Sequence, residues 1–358
     1  MPLEDKPRKR VTIKDVAQEC GLALSTVSNA LSNSSLVTEE TKRRVREVAE
    51  RLGYRASPIA RGLRMNRTSA IGVLVADVAN PSVADHLRGI DDVTMRENLS
   101  VILCNTDDIA SRQLTLMEGM RDRNVDGMIL ISQRSRGEEF RSLMSDVPFV
   151  LMHRRSVEFP DPYVGTDNHQ AIKVVMDHLI DLGHTRIALV EGPQDSSTVQ
   201  ERQRAYRAIV RLKGLDDDEA LIIKSDYGLA AGREAAEHVF KMRHRPTAVI
   251  ASNDMNALGF LEAAREMNVR IPEDMSLTGA DDIPFAQFSG VELTTTRPPR
   301  RKMGVCAAEM LVRMIKGENL TGEAHIFSTE LVIRRTTANS SDPTQIQQKN
   351  FLPPQKSH

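Results

Sequence analysis

Ile13–Ser32 reads IKDVAQECGLALSTVSNALS, and this stretch decides the architecture of the N-terminal region. Its first eight residues set Ile13, Val16 and Ala17 on one helical face. Gly21 follows and can take the positive φ of a tight turn between helices. From Leu24 a second helix turns Val27, Ala30 and Leu31 inward and leaves Ser25, Thr26, Ser28 and Asn29 outward. Small Ala17 lets the two helices cross closely, and the short turn has helix-turn-helix spacing. A third helix begins at Thr38, an N-cap with Glu39 and Glu40 in the first turn. It buries Val45, Val48, Ala49 and Leu52 and stops at Gly53. Three such helices would also suit a generic bundle. The outward face of the second helix argues for more, because short hydroxyl and amide side chains suit base edges and phosphates better than they suit a solvated face.

Charge points the same way. The 358 residues carry a formal net charge of −1, yet residues 1–66 hold 13 Lys/Arg against 8 Asp/Glu and the remainder 35 against 41. A basic head on an acidic body fits a polyanionic partner, although a solvated basic tail would give the same count. Hydrophobic residues make up 40% and charged residues 27%, as in ordinary globular proteins. No apolar run reaches the ~18 residues that span a bilayer. Met1–Arg10 is charged with no apolar stretch behind it, so it does not read as a secretory signal. Cys20, Cys104 and Cys306 are odd in number and far apart, which argues against disulfides and cysteine metal sites and fits a reducing cytoplasm.

Ile13-x-Asp15-Val16-Ala17, Gly21, Ser25-Thr26-Val27-Ser28-x-Ala30-Leu31 and Leu52-Gly53-Tyr54 together resemble the headpiece of the lactose-repressor family (LacI/GalR type). The resemblance runs on to about residue 337. It implies a DNA-binding regulator, probing a palindromic operator as a homodimer, with Leu24, Ser25 and Asn29 where members read bases. Thr26, Ser28 and Asn33 fall near phosphates, and Thr12, Ala60, Arg61 and Leu63 complete the DNA-contacting set. Leu24 is apolar where some members are polar or aromatic, so the operator cannot be copied from a relative. Ser57–Arg64 (SPIARGLR) has Ser57 as N-cap and Pro58 at the first helical position. Eight residues including Gly62 cannot hold an isolated helix in water. Alone, the segment reads as a linker; with the resemblance, it reads as a hinge helix that folds on DNA, Leu63 wedging into the minor groove.

From Ala70 onward short apolar runs alternate with amphipathic helices: Ile71–Ala76, Val101–Cys104, Met128–Ile131, Phe149–Met152, Ile187–Val190, Leu221–Ile223, Ala248–Ala251 and Ser276–Gly279. Such runs imply parallel sheets covered on both faces, and two successive sets imply two doubly wound lobes with ligands at the strands' carboxyl ends. The fold class expected is therefore α/β: a three-helix headpiece plus a two-lobed core resembling periplasmic binding proteins. The resemblance places crossovers near Val164–Asp167, Thr295–Pro298 and Phe327–Glu330. Expected boundaries are 1–56 for the headpiece, 57–69 for hinge and linker and 70–337 for the effector-binding and dimerisation core. Its N-lobe spans about 70–164 and 298–327, its C-lobe 165–297 and 328–337, with a disordered tail over 338–358. That tail is rich in Gln, Ser and Pro and lacks the leucine heptads that make some relatives tetramers.

Five positions at strand ends are candidate effector contacts. Asp77 follows the first strand, and Arg202 matches the family's effector arginine, with alanine where the family's following glycine stands. Asn253 lies in Ala251-Ser252-Asn253-Asp254 and Asp281 in Gly279-Ala280-Asp281-Asp282. Asp, Asn and Arg bind the adjacent hydroxyls of a sugar bidentately, although any one alone would also serve as a loop cap or surface ion pair. His153 replaces a common aspartate and precedes Arg154 and Arg155; it suits a sugar acid or phosphosugar, or is a neutral hydrogen-bonding substitute. No nucleotide, hydrolase or zinc motif is present, so no catalytic residue, metal or cofactor is expected. The rival readings are a stand-alone sugar-binding protein and a sugar-modifying enzyme on the same fold. The absent motifs argue against the enzyme, and the missing export signal and the basic headpiece argue against the binding protein.

Overall fold

The computed structural model describes residues 11–54, 68–134, 137–156 and 158–340. It divides into two compact units, Met1–Ser69 and Ala70–His358. In the first, α1 (Ile13–Cys20), α2 (Leu24–Leu31) and α3 (Glu39–Arg51) pack around Val16, Ala17, Cys20, Val27, Ala30, Val45 and Ala49. Gly21 ends α1 at φ 62°, the left-handed conformation that closes a helix without steric cost in glycine. Thr38 caps α3 by accepting from the Thr41 amide.

The second unit opens with β1 (Ala70–Val75), α4 (Ser82–Arg96), β2 (Ser100–Asn105), α5 (Ala110–Asp122), β3 (Gly127–Ile131), α6 (Glu138–Leu143), β4 (Phe149–Met152) and β5 (Tyr163–Thr166). It continues through α7 (Asn168–Asp181), β6 (Ile187–Val190), α8 (Ser197–Lys213), β7 (Ile222–Ile223), α9 (Leu229–Lys241), β8 (Ala248–Ile250), α10 (Asp254–Glu266) and β9 (Ser276–Thr278). Last come β10 (Thr295–Arg297), α11 (Arg300–Ile315), β11 (Ala324–Phe327) and β12 (Glu330–Val332). The first lobe is a six-stranded sheet in the order β11-β5-β4-β3-β1-β2, every pairing parallel. The second is a parallel sheet in the order β7-β6-β8-β9. Between them β10 and β12 pair antiparallel, a departure from the all-parallel reading.

The continuous apolar strands divide their side chains between two covered faces, as the period of two requires. Ile71, Val73, Val75, Ile129 and Ile131 pack with Ile90 and Val93 of α4 and Leu311 of α11. Leu74, Met128 and Leu130 face Met117 and Met120 of α5 and Phe140 of α6. In the second lobe Ala188, Val190 and Val249 face α9 and α10, while Ile187, Leu189 and Ile250 face α7 and α8. Each lobe also contains a close helix crossing that glycine permits. A Cβ on Gly304 of α11 would lie 2.2 Å from the His86 carbonyl oxygen, and one on Gly89 of α4 would lie 2.1 Å from that of Arg301. Gly232 of α9 and Gly259 of α10 would likewise each come within 2.0 Å of a carbonyl oxygen, of Asn256 and Leu229 respectively.

Residues 338–340, expected to open a disordered tail, are instead bonded to the second lobe. The Ala338 amide donates to Ser276 Oγ and the Ser340 amide to the Leu182 carbonyl, and Ser340 is buried. Polar composition alone could not reveal that these backbone groups continue the edge of the second lobe. Among the described residues no helix is long and apolar enough to cross a membrane.

Candidate functional site

In both sheets the strand order reverses beside the first strand, between β1 and β3 and between β6 and β8. Ligands of open α/β sheets bind at the carboxyl ends beside such reversals. Asp77 follows β1 and His153 follows β4 in the first lobe; in the second, Arg202 lies on α8, Asn253 follows β8 and Asp281 follows β9. All five line one cleft of about 540 Å³ between the lobes.

The cleft wall is locally strained. Asp107 (φ 51°), Asp108 (φ 55°), Ser132 (φ 63°), His153 (φ 65°) and Asp281 (φ 116°) all hold positive φ and all line it. Such conformations cost on the order of 1–3 kcal/mol each in non-glycine residues and gather where a site needs them.

Each expected contact has a defined environment. Asp77 is exposed and accepts from the Ala79 amide at 2.8 Å. Asn253 caps α10, its Oδ1 accepting from the Asn256 amide at 2.8 Å, so that oxygen is already engaged. Arg202 donates from Nε to Asn168 Oδ1 (3.2 Å) and from Nη1 to the Ser252 carbonyl (2.8 Å), while Nη2 makes no bond among the described residues. Burial raises the Asp281 carboxyl, against the pull of Arg300 and Arg202. Its neighbour Asp254 is pushed up to about 8 by burial and by Asp281. Asp254 accepts from the Ile283 amide (2.8 Å) and the Thr295 hydroxyl (2.5 Å), tying the β9 loop to β10.

His153 is held by a residue that the sequence did not single out. Its Nε2 lies 3.0 Å from Nε2 of His86, a buried residue of α4, whose Nδ1 lies 3.1 Å from the Ser82 carbonyl. A carbonyl only accepts, so His86 Nδ1 carries a hydrogen and its Nε2 takes one from His153 Nε2. His153 Nδ1 is then a lone-pair acceptor. Burial first, then the charges of Arg202, Arg154 and Arg300, lower His153 to about 4, and burial with His153 lowers His86 well below its usual value. Both rings are neutral at neutral pH.

In the triplet His153-Arg154-Arg155 both arginines are paired with carboxylates. Arg154 is bidentate to Asp108 (2.7 and 3.1 Å), and Arg155 pairs with Glu201 at 3.3 Å. Cations so neutralised, beside a neutral imidazole, add little attraction for an anion. The sequence also missed an ion pair between the lobes: Arg134, just after β3, is bidentate to Asp195, after β6, at 2.9 Å in both contacts. Both residues follow strands at the order reversals, which was the available signal.

On the headpiece, Leu24 and Ser25 are exposed, Thr26 and Asn29 are half-buried, and all four belong to α2. Thr12 is exposed and donates through its hydroxyl to Asp15, and Asn33 accepts from Arg46 at 3.0 Å. Ser28 corrects the sequence reading, since it is buried and its hydroxyl has no partner. It follows Val27 and stands three residues before Leu31, at the edge of the α2 face that packs into the headpiece core. Ala60, Arg61 and Leu63 lie outside the described residues.

The family of bacterial regulatory proteins described as lacI matches residues 12–57, and the periplasmic binding protein-like domain matches residues 176–337. The HTH-type transcriptional repressor PurR of Photobacterium profundum is 30% identical over 327 residues, spanning 91% of this chain and 98% of that protein. The HTH-type transcriptional repressor CytR of Escherichia coli is 30% identical over 336 residues, spanning 93% and 98%. Among solved structures, a complex of the transcriptional regulator CelR with cellobiose superposes with a TM-score of 0.70 at 26% identity, over 91% of this chain and 100% of that one. With a helix-turn-helix headpiece, a two-lobed core and relatives aligned along nearly their whole length, the chain belongs to the LacI family and is a DNA-binding transcriptional repressor rather than an enzyme.

Proposed function

We propose that a small neutral sugar, bound in the cleft between the lobes, controls the affinity of this repressor for a palindromic operator. The observation that carries the reading is the convergence of Asp77, His153, Asn253 and Asp281, from four strand ends, and Arg202, from α8, on one cavity of about 540 Å³. A pocket of that size holds a mono- or disaccharide, within the usual ~300–1,000 Å³ of small-molecule sites. The free Arg202 Nη2, the Asp281 carboxyl and the His153 lone pair offer the mixed donors and acceptors that a polyol needs. The cellobiose complex of CelR supports a saccharide.

In this mechanism the chain acts as a cytoplasmic homodimer. Leu24, Ser25 and Asn29 read bases, while Thr12, Thr26 and Asn33 meet phosphates. Ser28 positions the reading helix from within. Residues 57–69 form the hinge, with Ala60, Arg61 and Leu63 at the DNA. Sugar binding changes the relation of the lobes, the hinges lose their mutual packing and operator affinity falls. Couplings of this kind amount to roughly 1–3 kcal/mol.

The test is a thermal-shift screen of neutral sugars, sugar acids and purines, since only a ligand of the native state stabilises by mass action. A neutral sugar should raise the melting temperature of wild type and not that of Arg202→Ala. Stabilisation by purines or sugar acids alone would overturn the assignment.

A further inference from the structure

Behind Arg202 and Tyr227 lies a second, smaller cavity of about 30 Å³, at the strand-order reversal of the second lobe. It shares Arg202, Tyr227 and Ser252 with the cleft, so the two are adjoining. Most of its wall is aliphatic, including Ile172, Val199 and Ile250. Its polar side chains are Glu191, Arg202, Tyr227, Ser252 and Thr296, and two of them are of interest for their unengaged oxygens. Glu191, just after β6, is 3% exposed; its Oε2 accepts from Gln194 Nε2 at 2.8 Å and its Oε1 has no partner among the described residues. Ser252 is 6% exposed and its hydroxyl also has no partner, although its carbonyl holds Arg202.

We infer that Glu191 and Ser252 form a donor-reading subsite, which takes one hydroxyl-bearing arm of the sugar bound in the cleft. The inference rests on the effector reading above and names what that effector must carry. A carboxylate oxygen accepts, so its complement is a hydroxyl or amine, and Glu191 disfavours a second carboxylate or a phosphate beside it. At about 30 Å³ the cavity is far smaller than the cleft and suits a small arm such as a hydroxyl or hydroxymethyl. Tyr227 forms the partition between subsite and cleft. Its ring lies against Gly192, where an added Cβ would meet Cε1 at 2.5 Å, so any other residue after Glu191 would push the ring away. A site built to bond a hydroxyl strongly rejects the analogue lacking it, because its own polar groups are left unpaired.

The experiment uses the full-length protein, with calorimetric titration of neutral mono- and disaccharides, their monodeoxy analogues and their uronic acids. Wild type should bind one parent sugar and lose roughly 100-fold or more in affinity for one of its monodeoxy forms. Glu191→Leu should bind that parent and that deoxy sugar within a few-fold of each other. Glu191→Gln, nearly isosteric, should bind the uronic acid oxidised at that hydroxyl better than wild type does. Operator binding by each variant reports that it is folded. If the parent-to-deoxy ratios are the same in all three proteins while Arg202→Ala abolishes binding, the cavity holds only water and the subsite is refuted, with the effector reading intact. If wild type binds no sugar of the set, the effector reading fails and the subsite with it.

Discussion

The two lobes of the core each rest on a helix pair in glycine contact, yet their cleft walls differ. In the first lobe the close pair fixes the His86 backbone against Gly304, and the His86 ring holds His153. Arg154 is spent on Asp108 and Arg134 on Asp195. In the second lobe Glu191 Oε1 and Ser252 Oγ are buried without partners among the described residues, and Arg202 Nη2 makes no bond among them. Unmade bonds to buried polar groups are expensive, at ~1–3 kcal/mol each, and a ligand that makes them recovers that cost. The difference teaches a division of labour. On the proposed reading Arg202, Glu191 and Ser252 of the second lobe take the ligand's hydroxyls, while His153, Arg154 and Arg134 of the first are each held by a protein partner.

The largest expected effect breaks the reading lobe. Arg202→Ala removes a charged donor that already holds Asn168 and Ser252 in place. It should weaken sugar binding by roughly 100-fold, from charge-assisted bonds of ~1.5–3 kcal/mol each. Operator binding without sugar should stay near the wild-type value. Calorimetry and operator anisotropy measure the two quantities, and parallel losses would show that Arg202 is only structural.

A pair of glycine substitutions sharpens the comparison. Gly304→Ala and Gly259→Ala each force a methyl against a carbonyl oxygen, at 2.2 Å from His86 and 2.0 Å from Leu229. Each should cost about 1–3 kcal/mol in urea unfolding, as overpacked sites do. Only Gly304→Ala should also move the imidazole NMR signals of the His86–His153 pair. Identical spectra for the two variants would mean that the first helix pair does not position the histidines.

The histidine pair also gives a pH signature. His153 titrates near 6.5 when unfolded and about 4 when folded. Its contribution to stability is therefore complete above pH 6.5 and is lost as pH falls toward 4, where the unfolded state takes up a proton that the folded state refuses. The full loss is on the order of 3 kcal/mol for a shift of that size. His153→Gln should flatten the decline in urea stability between pH 6.5 and 5. An unchanged slope would place the charged ring in the native protein. The smallest effect belongs to Arg134→Gln, which breaks the partly exposed pair to Asp195. Such pairs are worth ~0–1 kcal/mol, so sugar affinity should move no more than a few-fold.

The legible parts of the molecule were those in which composition and geometry coincide. The helix-turn-helix face and the apolar runs of β1, β3, β4 and β6 follow from periodicity alone. β11 was visible only as a crossover, because Ala324–Phe327 lies largely exposed at a sheet edge and carries no apolar run. Ser28 misled because a helix stripe has edges, where small polar residues are buried without any change of pattern. His86 sits within an amphipathic helix and looks like a solvent-facing polar residue; its role depends on a ring 67 positions away in sequence. Glu191 follows an apolar strand as a surface carboxylate would, and only the packing of Tyr227 and the aliphatic wall around it shows that it is enclosed. Strand ends could be read from sequence, whereas the partners assembled there depend on the tertiary structure.

The most direct test of the account joins its two halves in one titration. Operator affinity of the full-length protein is measured by fluorescence anisotropy at fixed salt, with and without a saturating concentration of the sugar that stabilises it, for wild type and Arg202→Ala. The account predicts that the sugar weakens wild-type operator binding by roughly 5–150-fold, and that Arg202→Ala holds the operator equally well in both conditions. A sugar that binds the cleft and leaves wild-type operator affinity unchanged would contradict it.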